Sequence, residues 1–329
     1  MVKRLTMSKQ KYTLALLLSV LCASSVPLFL EYFTSYIDAW TVNGYRYIVV
    51  LLIMLPVIIG MARRGKYNKR MWLTALIPAL FNLLQQIAWA WAPYFIDPGM
   101  IGFLIKSTVV WSIAGSFILF VDERFLLKDR RFWLGLILSL LGFSGLSYYG
   151  TGISLSGTFF GVLLVLTSGL FMAAYGLAVK YFFNETNALI SFSIIAFYTA
   201  VGLVALMFVF GEAQAFLRIP LKVTAVIAVS AFVGINMAHV LFYISLKHLG
   251  VMVSYSVSLF SAFFTALLSY LIFGEQLSVM QWLSGSIIVA GGLSIIATKN
   301  GKQNRINAQS NVIIKLNEWR KLKNTGEAK

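Results

Sequence analysis

Arg46 and Lys106 each stand inside a long apolar run that contains no acidic residue. A charge held near the middle of a bilayer costs from ~2.5 kcal/mol upward, so a retained one is a functional candidate. Arg46 is the eighth residue of its run and Lys106 the ninth of its own. At a helical rise, both backbones lie roughly 10–12 Å inside the outer end. Each arginine or lysine has a second reading, because a long side chain can snorkel to the headgroups or brace neighbouring helices. Lys106 is followed by Ser107, Thr108, Trp111 and Ser112, and the tryptophan ring could cap a site. Asn82 and Gln85, three apart, share one helix face, which Gln86 extends. Asn236 and His239 repeat that spacing in a later run. Such groups either contact a substrate or bond to neighbouring helices, and a histidine can also relay protons or simply pack. Tyr255, with Tyr45, Tyr175 and Tyr198, supplies aromatic wall candidates, and Ser24 and Ser25 before Pro27 offer small polar ones.

One absence shapes the chemistry. None of the 11 acidic residues lies mid-run. Glu31, near an outer end, is the nearest substitute for a coupling carboxylate, with His239 as the other coupling candidate. Two cations without an anion make an electropositive site, suited to a carboxylate or phosphate and unsuited to lipophilic cations.

These residues need a membrane to hold them. The 329 residues are 59% hydrophobic and 12% charged, whereas soluble domains are about 45–50% apolar and about 25% charged. Mean hydropathy is +0.83. Ten runs have the ~20 apolar residues that a spanning helix requires: 12–33, 39–61, 71–94, 98–121, 132–149, 158–182, 188–210, 223–246, 250–273 and 279–298. The first is too long for a cleaved signal peptide and is followed by no small-residue cleavage site. The expected fold is therefore an all-α polytopic membrane protein with short loops.

The net charge of +16 is distributed by side. Of the 27 basic residues, 23 fall on the side that carries both termini, and only Arg218 and Lys222 fall opposite. That asymmetry predicts cytoplasmic termini in a plasma membrane, and it assigns the charge to anionic lipid rather than nucleic acid. Beyond residue 298, Val312, Leu316, Trp319 and Leu322 are spaced like one helix face, so the basic tail 299–329 reads as an amphipathic surface helix or a solvated coil.

The chain repeats itself. Span four ends Phe120-Val121-Asp122-Glu123 and span nine Ile272-Phe273-Gly274-Glu275. Asn82 to Gln85 in span three matches Asn236 to His239 in span eight, and Glu31-Tyr32-Phe33 matches Lys180-Tyr181-Phe182. Residues 1–150 and 151–298 are expected to be two five-span copies. An odd number of spans inverts the second copy, the arrangement that builds a midplane site between rocking halves.

This layout resembles the drug/metabolite transporter superfamily, in its ten-helix branch with two EamA-type repeats. The resemblance covers about residues 10–298 and rests on the 5+5 layout, the Asp122-Glu123 and Gly274-Glu275 endings, the glycine-bearing fifth and tenth spans, and Arg46 early in span two. Val110 and Ala262 stand where the family often has proline, and Asp122 replaces the first glycine. The resemblance implies a secondary carrier or exporter of a small metabolite, amino acid or drug. It implies no cofactor, and the chain would act as a monomer or homodimer, with Gly285, Gly291 and Gly292 available to pack against a helix.

Other classes fare less well. Gly142-Phe143-Ser144-Gly145 fits the G-x-S-G pattern of rhomboid-like proteases, with His239 as base, but four residues of small type are a loose pattern in a span. Cys22 is alone, and the two histidines lack nearby acids, so metal and disulfide frameworks are not expected. A phosphate-cradling loop and a channel filter sequence are both missing.

Overall fold

The computed structural model describes residues 2–64, 68–92, 95, 101, 104–151, 159–273 and 277–299. The tail 300–329 and Gly274-Glu275 lie outside the described residues, as does the side chain of Glu31. Among the described residues all regular structure is helical. Nine helices are long and apolar enough to cross a membrane. Numbered by their place in the chain they are span one Gln10–Thr34, two Ala39–Arg63, three Lys69–Trp91, five Arg130–Tyr149, six Phe159–Phe183, seven Ala188–Phe210, eight Leu221–His248, nine Val251–Leu268 and ten Val279–Lys299. Span four is represented by the shorter apolar helix Ser107–Leu119.

Four spans are irregular, each for a local reason. Span one breaks at Ser25, between the helices Val2–Ser24 and Val26–Thr34. Pro27 lacks the amide that would continue the ladder. The hydroxyls of Ser24 and Ser25 donate back to the Val20 and Cys22 carbonyls at 2.6 and 2.7 Å. That back-bonding bends helices and turns these serines to their own backbone. Span four resumes as regular helix only after Lys106. Span nine is likewise discontinuous, Val251–Val257 and then Phe260–Phe273. Lys106 and Ser258 each precede the glutamate of their motif by 17 residues, so the two copies break at the same place. Span eight contains a π-helical segment, Phe232–Met237; π segments inside α-helices gather at functional positions.

The two copies interlock. Span two packs along seven, three along six, one along eight, four against six, and nine against one. Exchanging the copies maps this set of pairings onto itself. Spans five and ten meet backbone to backbone: a Cβ at Gly142 would lie 2.6 Å from the Ser284 carbonyl oxygen, and one at Gly135 2.6 Å from that of Gly291. Gly285 and Gly292 face the rings of Phe263 and Phe260. These glycines serve close packing inside the chain.

Candidate functional site

Span two carries Asn43, Arg46 and Tyr47, all buried. The guanidinium of Arg46 turns inward, against span eight. Its Nη2 lies 3.5 Å from where a Cβ would stand on Gly234, the middle of the 28-residue span eight. Only 3% of the residue is exposed. The side chain is thus packed between helices against the middle of span eight, and the bare Gly234 backbone leaves room there for Val26, 2.7 Å from where its Cβ would stand. Among the described residues, Nε and Nη2 of Arg46 have no hydrogen-bond partner, and neither do Asn43 Oδ1 or either amide atom of Asn236. Asn236 belongs to the π-helical segment beside Arg46. Asn43 was not singled out from the sequence, although it stands three residues before Arg46 on the same face.

His239 follows on span eight. Its Nδ1 lies 2.9 Å from the Ile235 carbonyl. Its ring lies against Phe192 at 5.5 Å between centroids and beside Tyr175 at 6.1 Å. Tyr175 and Tyr243 share a hydroxyl contact of 2.5 Å. Ser144 lies on span five, the partner of span ten, whereas His239 lies on span eight against Tyr175 of span six and Phe192 of span seven.

Other candidates brace helices. Asn82 Nδ2 donates to the hydroxyls of Tyr47 and Thr199, both at 3.2 Å, and Gln86 Nε2 to Tyr47 at 3.2 Å. Gln85 Nε2 donates to Ser168 at 3.4 Å. Tyr255 donates to the Met172 carbonyl at 2.6 Å, tying span nine to six. Lys106 stands at the break of span four and donates to Ser261 at 2.5 Å, just past the break of span nine. Trp111 is 42% exposed. It shares an outward stripe with Val110, Phe117 and Ile118, so it caps nothing near Lys106.

A second cluster lies at the end where the basic loops gather. Glu123, fully buried, pairs with Lys180 at 2.6 Å. Its two oxygens accept the backbone amides of Val251 and Met252, both at 2.8 Å. Asp122 adds a second carboxylate 3.1 Å from Lys180, and the Phe120 ring lies 4.2 Å from the ammonium. Gly250 turns the chain into span nine with φ +93°, and a Cβ there would stand 2.8 Å from the Glu123 carboxyl. The carboxylates come from the first copy, and the lysine and amides from the second. From the sequence, Asp122-Glu123 and Lys180 read as separate span endings; their common side was the signal that they could meet.

The EamA-like transporter family's profile matches residues 10–148 and 159–297, one match per copy. The chain belongs to the EamA-like transporter family. An uncharacterised transporter of Haemophilus influenzae is 24% identical to it over 193 residues, 57% of this chain and 62% of that protein. The chain thus spans about three fifths of the length of that curated relative. A crystal structure at 15% identity superposes with a TM-score of 0.70, covering 87% of this chain and 97% of the other. At that identity it speaks for the fold alone. Two EamA-like units, nine long apolar helices and a shorter one make this a multi-pass membrane protein of that family.

Proposed function

We propose that this transporter moves a small anionic or zwitterionic molecule outward across a bacterial or archaeal plasma membrane by alternating access. The observation that carries this reading is the Glu123 cluster, in which every bond to Lys180, Val251 and Met252 joins one copy to the other. The positive-inside charge pattern supports a cytoplasmic side for that cluster and for both termini. A carrier must close one side before the other opens, and a buried ion pair bonded to helix-end amides is a closure of that kind. Separating it leaves buried charges unpaired, at about 3–5 kcal/mol unless water or substrate enters. Spans four and nine, both broken and linked by Lys106 and Ser261, supply the discontinuous helices around which midplane sites are built. Glu31 and His239 remain the coupling candidates, and the transporter acts as a monomer or homodimer.

The test is counterflow in proteoliposomes, with amino acids, organic anions, sugar phosphates and lipophilic cations as the panel, run with and without a pH gradient. Accumulation of an anionic or zwitterionic compound is expected. A companion labels Met252→Cys in a Cys22→Ser background with an impermeant maleimide from the cytoplasmic side. Adding Glu123→Gln should speed labelling by about tenfold, the equivalent of roughly 1.4 kcal/mol of lost closure. Counterflow of nothing, or labelling indifferent to Glu123, would sink the carrier reading.

A further inference from the structure

We infer that Arg46 is the receptor for a single carboxylate of the transported molecule, held at mid-membrane between span two and the π-helical segment of span eight. The inference rests on the carrier reading and names the chemistry of its site.

Three observations carry it. The first is the guanidinium itself. It is buried, it stands beside Gly234 at the middle of span eight, and Nε and Nη2 have no hydrogen-bond partner among the described residues. A buried arginine kept for structure pairs with a carboxylate or with backbone carbonyls, because an unpaired buried charge is costly. The second is the company it keeps. Asn43, on its own helix face, and Asn236, in the adjacent π segment, are each 3% exposed. They too carry side-chain atoms without partners: Oδ1 in Asn43, Oδ1 and Nδ2 in Asn236. Buried amides are ordinarily satisfied, so orphans in two neighbouring elements point to a polar ligand. The third is the π geometry, which rotates side chains out of the α register where Asn236 sits.

The charge count selects the ligand class. Lys180 is neutralised by Glu123, whereas Lys106 donates to the neutral hydroxyl of Ser261 and keeps its charge. At Arg46 itself one positive charge is left to match, which one carboxylate neutralises, whereas a phosphate dianion would leave that site with a net negative charge. The planar fork of a guanidinium also matches a carboxylate edge in bidentate fashion. A zwitterion would present its carboxylate here and place its ammonium toward the oxygens of Asn43 and Asn236. No proton or covalent change is required of Arg46.

The decisive experiment is binding to the purified, full-length transporter, followed by thermal shift and calorimetry. The probes are a panel of amino acids and of aliphatic and aromatic carboxylates, each paired with its own carboxamide, together with inorganic phosphate and tetraphenylphosphonium. Carboxylates should bind and their carboxamides should bind at least roughly tenfold more weakly, as loss of a charge-assisted bond implies. This comparison uses the wild-type protein, so it does not depend on whether a variant folds. Arg46→Gln should weaken the best carboxylate by roughly 10- to 100-fold, and Arg46→Lys should recover part of the loss. Equal binding of acid and amide, preference for phosphate or the lipophilic cation, or no binding of any carboxylate would overturn the inference. Binding without counterflow would sink the carrier reading and leave this site standing. Counterflow of a compound without a carboxylate, unchanged by Arg46→Gln, would do the reverse.

Discussion

Glu123 shows how one side chain can serve as both charge and cap. Its carboxylate meets Lys180 and closes two amides at the entry to span nine. Gly250 makes that approach possible, through a positive φ and the missing Cβ. Gly250→Ala combines an unfavourable backbone with a clash, and should lower stability by about 1–3 kcal/mol. Thermal unfolding in detergent checks this, and an unchanged midpoint would mean that the carboxylate shifts freely. Tyr47→Phe removes the acceptor that Asn82 and Gln86 share. The expected cost is about 1 kcal/mol in the same assay, since each membrane hydrogen bond is worth roughly 0.6 kcal/mol. Residue type was legible in the sequence: Arg46 stood out as a charge without an acid. Where its guanidinium goes was not legible, because a side chain of that length reaches either headgroups or midplane. It ends against Gly234, nearly 190 positions away.

At the scale of elements, apolar length carried most of the reading. Span seven has the bounds expected from the sequence, and the other long spans differ by only a few residues at their ends. The spans that sequence handled least well are those that depart from plain helix. Hydropathy sees apolar residues on both sides of Lys106 and cannot see the turn at Ile105 and Lys106 that precedes the helix Ser107–Leu119. The π segment of span eight is hidden for the same reason. Glycine gave a clearer signal, though not its destination: the small residues of span ten meet span five and nearby rings of the same chain. Gly142→Leu should therefore destabilise the protein by about 1–3 kcal/mol or more through overpacking. Gly60→Leu, at a position with nothing within 4 Å, should be close to neutral. Unfolding curves of the pair would separate a packing role from a general intolerance of leucine in spans; equal loss in both would remove the argument.

For the whole molecule, the charge asymmetry and the repeat were both readable as patterns, while the pairings between copies were not. Nothing in the order of spans says that one lies against eight and three against six. Those pairings follow from surface complementarity between segments far apart in the chain. The side assignment makes its own prediction. Fluorescent reporters fused before Met1 and after Lys329 should both report the cytoplasm, and an accessible tag in the 211–220 loop should be reached only from outside; a tag there reached from the cytoplasm would reverse the topology. The Glu123 closure also constrains sequence drift. Two of its contacts are to main-chain amides, which every residue but proline possesses. Positions 251 and 252 can therefore change identity without dissolving the latch, whereas Glu123, Gly250 and Lys180 have no such freedom. Variation among descendants of this chain should be tolerated at the strike plate and confined at the bolt.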